Sequence, residues 1–243
     1  MKKRLDVRVV EEGLAESREQ AQRLILAGMI RVGGHPATKP GNTVADGAVI
    51  ERVGQERFVS RGGEKLEGAF AAFGLDATGK KCLDVGASTG GFTDCLLQHG
   101  AGHVVAVDVG HGQIHPRIAA DSRVTVMEGF NARTMRQEDL PYRPELAVTD
   151  VSFISLTLIL PPMVDVVVSG GEIVALIKPQ FEAGREFVEK GGVVRDAKVH
   201  EAVIHKIRAF AESELRLTFC GLVLSPLKGP AGNVEFLAYW RKN

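Results

Sequence analysis

Residues Lys81–Phe92 read KCLDVGASTGGF, a short apolar strand pattern followed by a glycine-rich turn. Lys81–Val85 forms the apolar run, and glycines follow it at positions 86, 90 and 91. Glycine lets the backbone pass close to a bound molecule, and a helix that begins at Phe92 directs its N–H groups at the same place. The stretch therefore predicts a strand, a ligand-binding loop and a helix, in the order of an α/β nucleotide-binding fold.

The chain after this stretch repeats the alternation of strand and helix, which is typical of a parallel doubly wound sheet. The predicted strands are Lys81–Val85, Val104–Val107, Val124–Met127, Leu146–Thr149 and Ile173–Ile177, and the predicted helices are Phe92–His99, Leu156–Val168 and Asp196–Leu215. Two further apolar runs, Phe219–Leu224 and Val234–Trp240, predict an antiparallel pair at one side of the sheet. The segment Gln180–Arg195, with its glycines and alternating charges, predicts a mobile loop.

Residues up to about Glu56 form a separate α+β pattern. Ser17 begins a helical pattern with apolar residues on one face, and Gly28 ends it. Met29–Val32 and the alternating run Thr43–Arg52 then predict short strands. Such a unit has little hydrophobic core of its own.

Composition limits the classes of function. The 243 residues are 44% hydrophobic and 25% charged, which suits a soluble protein with one medium and one small domain. Lys+Arg 30 balances Asp+Glu 30, so a nucleic acid would have to bind local basic patches. Cys82, Cys95 and Cys220 lack the spacing of a zinc site and predict buried thiols and no metal. No apolar run suits a signal peptide or a membrane span, so we expect a cytoplasmic protein that does not enter membranes.

The loop after Val85 indicates which nucleotide it binds. Ser88 stands where a dinucleotide fingerprint needs glycine, so the loop lacks the spacing for a diphosphate. S-adenosylmethionine fits better, because it presents a carboxylate and an ammonium group instead. Asp108 ends the next strand, where the hydroxyls of an adenosine ribose would lie, although an aspartate that forms a turn before Gly110 is a simpler interpretation.

The predicted cofactor-binding residues are Asp84, Gly86, Ser88, Thr89, Gly90, Gly91, Phe92, Asp108, Glu128, Asn131 and Asp150. Glu128 and Asn131 follow the third strand and could reach the adenine, although the polarity of a surface loop explains them almost as well.

Four charged residues are predicted to converge on the carboxyl edge of the sheet. Asp150 ends the fourth strand, Lys178 ends the fifth, Glu235 lies in the last strand, and Lys65 begins a helix before the sheet. A ribose hydroxyl is a poor nucleophile near neutral pH, so its methylation needs a base and stabilisation of negative charge. We predict that Lys178 takes the hydroxyl proton and that Asp150 orients Lys178 near the methyl sulfonium. Lys65 and Glu235 would then orient the substrate and balance charge, whereas two solvated ion pairs are the alternative.

The sequence resembles the TlyA family of ribosomal RNA 2′-O-methyltransferases, also labelled haemolysin A. The resemblance covers nearly the whole chain and rests on the runs at residues 59–66, 84–97, 150–155, 178–182 and 232–236. The catalytic domain is similar to that of FtsJ-type RNA methyltransferases, whose Lys-Asp-Lys-Glu tetrad falls on Lys65, Asp150, Lys178 and Glu235. The resemblance implies S-adenosylmethionine as methyl donor and cytidine in ribosomal RNA, of the small and large subunits, as the target.

Residues 1–58 resemble the αL-type RNA-binding module that a small-subunit ribosomal protein shares with some pseudouridine synthases. The residues predicted to contact RNA phosphates are Arg4, Arg8, Arg18, Arg23, Arg31, Lys39 and Arg61. Nearby glutamates dilute this charge, so a solvated face is the alternative. Residues 59–64 are predicted to be a linker in which Gly62 and Gly63 let the module swing, and residues 65–243 the methyltransferase domain.

Three other functions stay open from the sequence: a membrane-active haemolysin, a noncatalytic RNA-binding ribosome-assembly factor, and a nicotinamide-dependent oxidoreductase. The lack of a secretory signal disfavours the first. Lys178 and Asp150 disfavour the second, and Ser88 disfavours the third.

Overall fold

The structure is a computed structural model that describes residues 2–53 and 57–243, and the chain divides into two compact units between Arg57 and Phe58. The elements of the amino-terminal unit are β1 (Lys3–Arg4), α1 (Leu5–Glu11), α2 (Arg18–Leu26), β2 (Ile30–Val32), β3 (His35–Pro36), β4 (Thr43–Val44) and β5 (Ile50–Arg52). Those of the carboxy-terminal unit are α3 (Gly62–Phe73), β6 (Lys81–Val85), α4 (Gly91–Gln98), β7 (His103–Val107), α5 (Pro116–Ala119), β8 (Val124–Met127), β9 (Leu146–Thr149), α6 (Leu156–Val166), β10 (Glu172–Ile177), α7 (Pro179–Glu182), α8 (Ala197–Ser213), β11 (Leu217–Leu224) and β12 (Phe236–Lys242).

The amino-terminal unit has a small core between its helices and strands, including Leu5, Ile25 and Ile30. The predicted helix is present as α2, and the Ser17 side chain caps it by accepting a hydrogen bond from the N–H of Gln20. The predicted strand pair over residues 43–52 differs, because β4 pairs with β1 whereas β5 pairs with β2. Helix α1 was not predicted.

The carboxy-terminal unit is built on a seven-stranded sheet in the order β11-β12-β10-β9-β6-β7-β8. Strand β12 runs opposite to the other six strands of this sheet, which are parallel to one another. The prediction of an α/β fold with a mostly parallel sheet and one antiparallel strand is therefore confirmed. Strands β9 and β10 lie in the middle and are almost wholly buried, which explains their continuous apolar sequences.

The topology brings distant loops together at one edge of this sheet. The chain leaves β6 for β7 on one side and later returns through β9 to the other side of β6. Such a reversal opens a crevice at the carboxyl ends of the two strands. Val85 pairs with Val107 and with Thr149, so the residues that follow these three positions meet at that crevice.

The antiparallel strand β12 delivers one more residue to the same edge. Phe236 pairs with Ile177, so β12 begins where β10 ends. Glu235 therefore lies immediately before β12, not within the last strand as predicted, and stands beside the end of the strand that Lys178 follows.

The predicted linker over residues 59–64 differs from the structure. Gly62 and Gly63 form the first turn of α3, and a Cβ atom on Gly63 would lie 2.2 Å from Cγ of Phe58. Phe58 is itself buried in the core of the carboxy-terminal unit. These glycines therefore allow α3 to pack closely against its neighbours. They lie in a helix, not in the flexible linker that was predicted.

The segment predicted as a loop at residues 180–195 is partly structured. It contains the end of α7, a 3₁₀ turn at Arg185–Phe187 and an isolated bridge between Glu189 and Val193. The buried Asn233 side chain donates to the carbonyl of Gly192 and accepts from the N–H of Val194, which fastens the segment beside Glu235.

Two of the three cysteines are buried as predicted, Cys82 and Cys95, but Cys220 is exposed. Cys220 lies in β11, an edge strand whose side chains alternate between the core and solvent. Among the described residues, no helix is long and apolar enough to cross a membrane.

Candidate active site

The glycine-rich loop between β6 and α4 adopts a tightly bent backbone. Gly86, Ser88 and Gly90 have φ angles of 82°, 48° and 94°, in the left-handed region that favours glycine. The N–H groups of Gly86 and Ala87 both donate to the carbonyl of Val107, which holds the loop against β7. A Cβ atom on Gly86 would lie 3.0 Å from the carbonyl oxygen of Asp150, so glycine there lets the loop approach the segment after β9.

A cavity of about 520 Å³ lies at this edge of the sheet. Five of the predicted cofactor-binding residues line it, namely Gly86, Ser88, Asp108, Asn131 and Asp150. Asp108 also supports the loop, because its carboxylate accepts hydrogen bonds from the N–H groups of Ser88 and Gly110 at 2.8 and 2.7 Å. Sequence reasoning missed the apolar part of the lining, which includes Val109, Phe130 and Phe153. Their position directly after predicted strands, beside the chosen polar residues, was the available signal.

The other predicted cofactor-binding residues do not line this cavity: Asp84, Thr89, Gly90, Gly91, Phe92 and Glu128. Gly90 is the residue before α4, and a Cβ atom on Gly91 would lie 2.3 Å from the hydroxyl of Ser60. Phe92 packs in the core. The Glu128 carboxylate accepts the N–H groups of Gly112 and Gln113, which lowers the pKa of Glu128. These residues shape the loops around the cavity.

Asp84 is wholly buried in β6 and accepts a hydrogen bond from the Thr93 hydroxyl at 2.7 Å. Burial disfavours its charged form and raises the pKa of Asp84 from 3.8 to about 7, although the Thr93 hydrogen bond opposes this shift. A carboxyl group whose pKa is raised by folding makes its full contribution to the stability of the fold at pH values below its ordinary pKa. That contribution is lost as the pH rises through about 7.

We therefore expect Asp84→Asn to change the pH dependence of stability. From pH 5 to pH 8, the wild type should lose roughly 2 to 3 kcal/mol of unfolding free energy relative to the variant. The reason is that the wild-type aspartate must ionise in the core, whereas the asparagine of the variant cannot ionise. Urea unfolding of both proteins at the two pH values measures this difference. Asp121→Asn, which removes a partly exposed partner of Arg123, is the control and should show no such change over this range. Parallel pH curves for the wild type and Asp84→Asn would contradict the assignment.

The four predicted catalytic residues form one continuous charged group. Lys178 Nζ lies 2.6 Å from Oδ1 of Asp150, and Lys65 Nζ lies 4.0 Å from Oδ2 of the same carboxylate. Lys65 Nζ also donates to Oε2 of Glu235 at 2.6 Å. Asp150 is therefore shared by both lysines, and two positive and two negative charges balance within the group.

Burial separates this group from ordinary surface ion pairs. Lys65, Lys178 and Glu235 are each at least nine-tenths buried, and Asp150 reaches the cavity. Isolated charges at such depth are costly, so they need partners and hydrogen bonds. Lys178 gains one more, because its Nζ donates to the Ser152 hydroxyl at 2.8 Å. Ser152 was not predicted as part of the site, although it lies two residues after Asp150.

A group of side chains that could hold a metal ion lies apart from the cavity. Glu67, Cys95 and His99 bring ligand atoms within 4.8 Å of one another. However, Glu67 Oε2 lies only 2.6 Å from His99 Nε2, and the His99 ring stacks on Phe70. Two ligands of one tetrahedral zinc ion lie roughly 3.3 Å apart, so an ion would have to break this hydrogen bond. We assign the Glu67–His99 pair a structural role in joining α3 to α4.

Three of the predicted RNA contacts are engaged within the amino-terminal unit. Arg4 and Arg18 both donate to the buried carboxylate of Asp6, and these bonds, led by that of Arg4, hold the pKa of Asp6 well below its usual value. Arg8 is largely buried and pairs with Glu12 and Asp46. These arginines stabilise the fold of the unit.

Arg4 and Arg18 still keep about half of their side chains exposed. The remaining predicted contacts are also exposed: Arg23, Arg31 and Lys39 in the amino-terminal unit, and Arg61 in the carboxy-terminal unit. Exposed cations are the ones that can approach a phosphate without breaking a buried ion pair.

Comparison with known proteins identifies the family. A model of the FtsJ-like methyltransferase family matches residues 58–242, and a model of the S4 domain matches residues 3–50. The 16S/23S rRNA (cytidine-2′-O)-methyltransferase TlyA of Mycobacterium tuberculosis is 45% identical over 240 residues, which cover 98% of this chain and 89% of that protein. The chain belongs to the TlyA family.

Other members of the TlyA family carry a different label. Hemolysin A of Brachyspira hyodysenteriae is 44% identical over 243 residues, which cover 98% of this chain and 99% of that protein. The solved structure of a candidate hemolysin from Streptococcus thermophilus matches with a TM-score of 0.78 and 46% identity, covering 100% of this chain and 89% of that one. The prediction of a TlyA-family methyltransferase that uses S-adenosylmethionine is confirmed.

Proposed function

We propose that this TlyA-family enzyme transfers a methyl group to the ribose 2′-hydroxyl of a cytidine in ribosomal RNA, either as free RNA or in ribosomal subunits. The observation that carries the proposal is the sharing of Asp150 between two buried lysines at the edge of the cofactor cavity. The activity printed for the 45% identical relative supports ribosomal RNA and cytidine as the target. The S4 domain at residues 3–50 supports RNA binding, and such a substrate would place the enzyme in the cytoplasm.

The volume of the cavity, about 520 Å³, and the polar groups in its lining suit S-adenosylmethionine. Glycine at position 86 keeps a side chain out of the narrow space between the loop and Asp150, where both line the cavity, and Asp108 offers a carboxylate suited to ribose hydroxyls. Val109 and Phe130 add apolar surface for the adenine, next to Asn131. When bound, the cofactor supplies an electrophilic methyl group on a positively charged sulfur.

The charged group can perform the proton transfer that the hydroxyl requires. Lys178 has to lose the proton that makes it positive in the charged group before it can act as a base. Its Nζ then accepts the 2′-hydroxyl proton as the oxygen forms its bond to the methyl carbon and the carbon–sulfur bond breaks. Asp150 and Ser152 fix the direction of Nζ through contacts of 2.6 and 2.8 Å. Lys65, held by Glu235, keeps a positive charge on the other side of Asp150 and balances the negative charge that develops on the oxygen.

An exposed aromatic ring lies on the substrate side of this group. Phe153 lines the cavity, is 90% exposed and has a left-handed φ of 63°. Its ring lies 4.9 Å from that of Phe181, three residues after Lys178. A large apolar side chain held in a strained conformation beside catalytic groups suits the stacking of a nucleobase.

We expect Phe153→Ala to raise the KM for RNA by about 5- to 100-fold, because stacking of a base on an aromatic ring is worth about 1 to 3 kcal/mol. The measurement is the initial rate of methyl transfer against RNA concentration at saturating cofactor. Phe187→Ala, which removes a partly exposed phenylalanine that does not line this cavity, is the matched control. An unchanged KM in Phe153→Ala would remove Phe153 from the substrate site.

The proposal is tested by incubating the protein with methyl-labelled S-adenosylmethionine and separated small and large ribosomal subunits. Nuclease digestion and mass spectrometry then locate the label. A 2′-O-methylated cytidine supports the proposal in full, and a different 2′-O-methylated nucleoside corrects only the base. Label on a base, or no label on either subunit despite cofactor binding, would overturn ribose methylation.

A further inference from the structure

Asp150 lies in an irregular segment between a strand and a helix. Between the end of β9 at Thr149 and the start of α6 at Leu156, the backbone forms neither helix nor strand. This segment, residues 150–155, holds Asp150, Ser152 and Phe153. The Asp150 N–H donates to the carbonyl of Val85, but the segment lacks the backbone ladder of a helix or strand, so side-chain contacts also fix its position.

One buried carboxylate makes those contacts from the neighbouring segment. Glu182 is only 6% exposed, and its Oε1 accepts the N–H of Leu156 at 2.7 Å. Its Oε2 accepts the hydroxyl of Ser155 at 2.6 Å. Lys206 of α8 donates to the Glu182 carbonyl at 2.9 Å and lies 3.6 Å from the carboxylate.

These bonds have a clear physical basis. Leu156 is the first residue of α6, and the N–H groups at the start of a helix have no acceptor within the helix. A negative charge is favoured there, both as an acceptor and by the helix dipole. Two donors and the Lys206 ammonium offset the cost of burying Glu182.

Glu182 also ends α7, which starts directly after Lys178. The two catalytic segments are thus joined at both ends. Lys178 contacts Asp150 and Ser152 at one end, and Glu182 contacts Ser155 and Leu156 at the other. Movement of the 150–155 segment away from Lys178 would have to break the Glu182 bonds as well.

We propose that Glu182 is a positioning residue for methyl transfer, which fixes the segment of Asp150 and Phe153 against the segment of Lys178 and Phe181. This inference rests on the proposed function for its kinetic consequences. Glu182 does not line the cofactor cavity, so it acts through the geometry of the groups that do.

Glu182→Gln tests this role with little change in size. The amide oxygen can still accept the N–H of Leu156 while the NH₂ group donates to the Ser155 hydroxyl, but the variant loses the negative charge at the start of α6 and beside Lys206. We expect kcat to fall about 10- to 100-fold, because displacement of a reacting group by about 1 Å costs a factor of this order. Ser155→Ala removes the Ser155 bond to Glu182 and the cap that Ser155 provides to the N–H of Thr157, but it keeps the charge of Glu182 and its bond to Leu156. It should therefore reduce kcat less than Glu182→Gln does.

Glu172, the first residue of β10, offers a matched control. Glu172 is also partly buried and accepts hydrogen bonds from Lys80 and Tyr239, but it lies at the opposite end of β10 from Lys178. Glu172→Gln should lower stability without changing kcat. A fall in kcat of equal size in both variants would mean a general effect on the fold and would overturn the positioning role.

Hydrogen–deuterium exchange gives a readout that does not depend on activity. The amides of residues 150–156 should exchange at least several-fold faster in Glu182→Gln than in the wild type or in Glu172→Gln. Unchanged exchange in this segment would refute the inference even if activity falls. If Glu182→Gln does not fold, Ser155→Ala provides the same comparison. If the wild type methylates no ribosomal RNA, the proposed function fails, whereas the exchange result still decides whether Glu182 fixes the segment.

Discussion

Replacement of Lys178 by methionine should reduce methyl transfer about 10²- to 10⁴-fold, the usual contribution of a positioned acid or base. Methionine keeps much of the length of the side chain but cannot accept a proton or bond to Asp150 and Ser152. Because Lys178 does not line the cofactor cavity, the affinity for S-adenosylmethionine should stay nearly unchanged. Single-turnover rates with labelled cofactor and calorimetric binding of the cofactor separate the two effects.

The control for Lys178→Met is Lys190→Met, which removes an exposed lysine from the turn between Glu189 and Val193. Its methyl-transfer rate should match that of the wild type. If Lys178→Met keeps more than about a tenth of the wild-type rate, proton transfer to Lys178 is not part of the rate-limiting chemistry. A large loss of cofactor affinity in Lys178→Met would instead indicate a role in cofactor binding.

Asp150→Asn should have the broadest effect of any single substitution, because Asp150 contacts both lysines and lines the cofactor cavity. The amide keeps the shape but leaves two buried lysines with one carboxylate, Glu235. Removal of one partner from a buried charged group costs about 3 to 5 kcal/mol, so we expect a lower Tm as well as a loss of turnover of about 10³-fold or more. Thermal unfolding, cofactor affinity and single-turnover rate should all change.

A double-mutant cycle distinguishes this assignment from independent damage. If Lys178 and Asp150 act as a unit, Asp150→Asn combined with Lys178→Met should be scarcely slower than either single variant. Asp165→Asn, at an exposed position of α6, is the control for the loss of a negative charge. Multiplicative rate losses in the double variant would show that the two residues act separately.

The sequence predicted the sheet well because its central strands are buried on both faces. Runs such as Leu146–Thr149 have no polar residue facing solvent, so their pattern identifies a parallel interior strand. The convergence of Asp150 and Lys178 follows from the shared carboxyl edge. Local sequence does not show where β12 starts relative to β10. The pairing of Phe236 with Ile177 sets this register and places Glu235 at the same edge.

Roles that depend on distant partners could not be predicted. The sequence did not reveal that Arg4 and Arg18 both donate to the buried Asp6, because Arg18 lies 12 residues from it in the chain. Asp84 resembled a ligand because its sequence position does not reveal that its side chain points into the core. Local sequence specifies neither the buried partner of the two arginines nor the burial of Asp84, and whether these residues also bind a ligand stays a prediction.

The position of β12 between β10 and β11 affects the order in which the parts of the enzyme fold during synthesis. During synthesis, the loop after β6, Asp150 and Lys178 all emerge before Glu235 and β12. A nascent chain therefore has the strands and loops of its cofactor pocket early, while its last described strand still has to add to the edge of the sheet at β10 and pair there with β11. Catalytic competence would then be acquired in a single late step, so that a chain interrupted before Glu235 would bind the methyl donor but could not hold Lys65 in place.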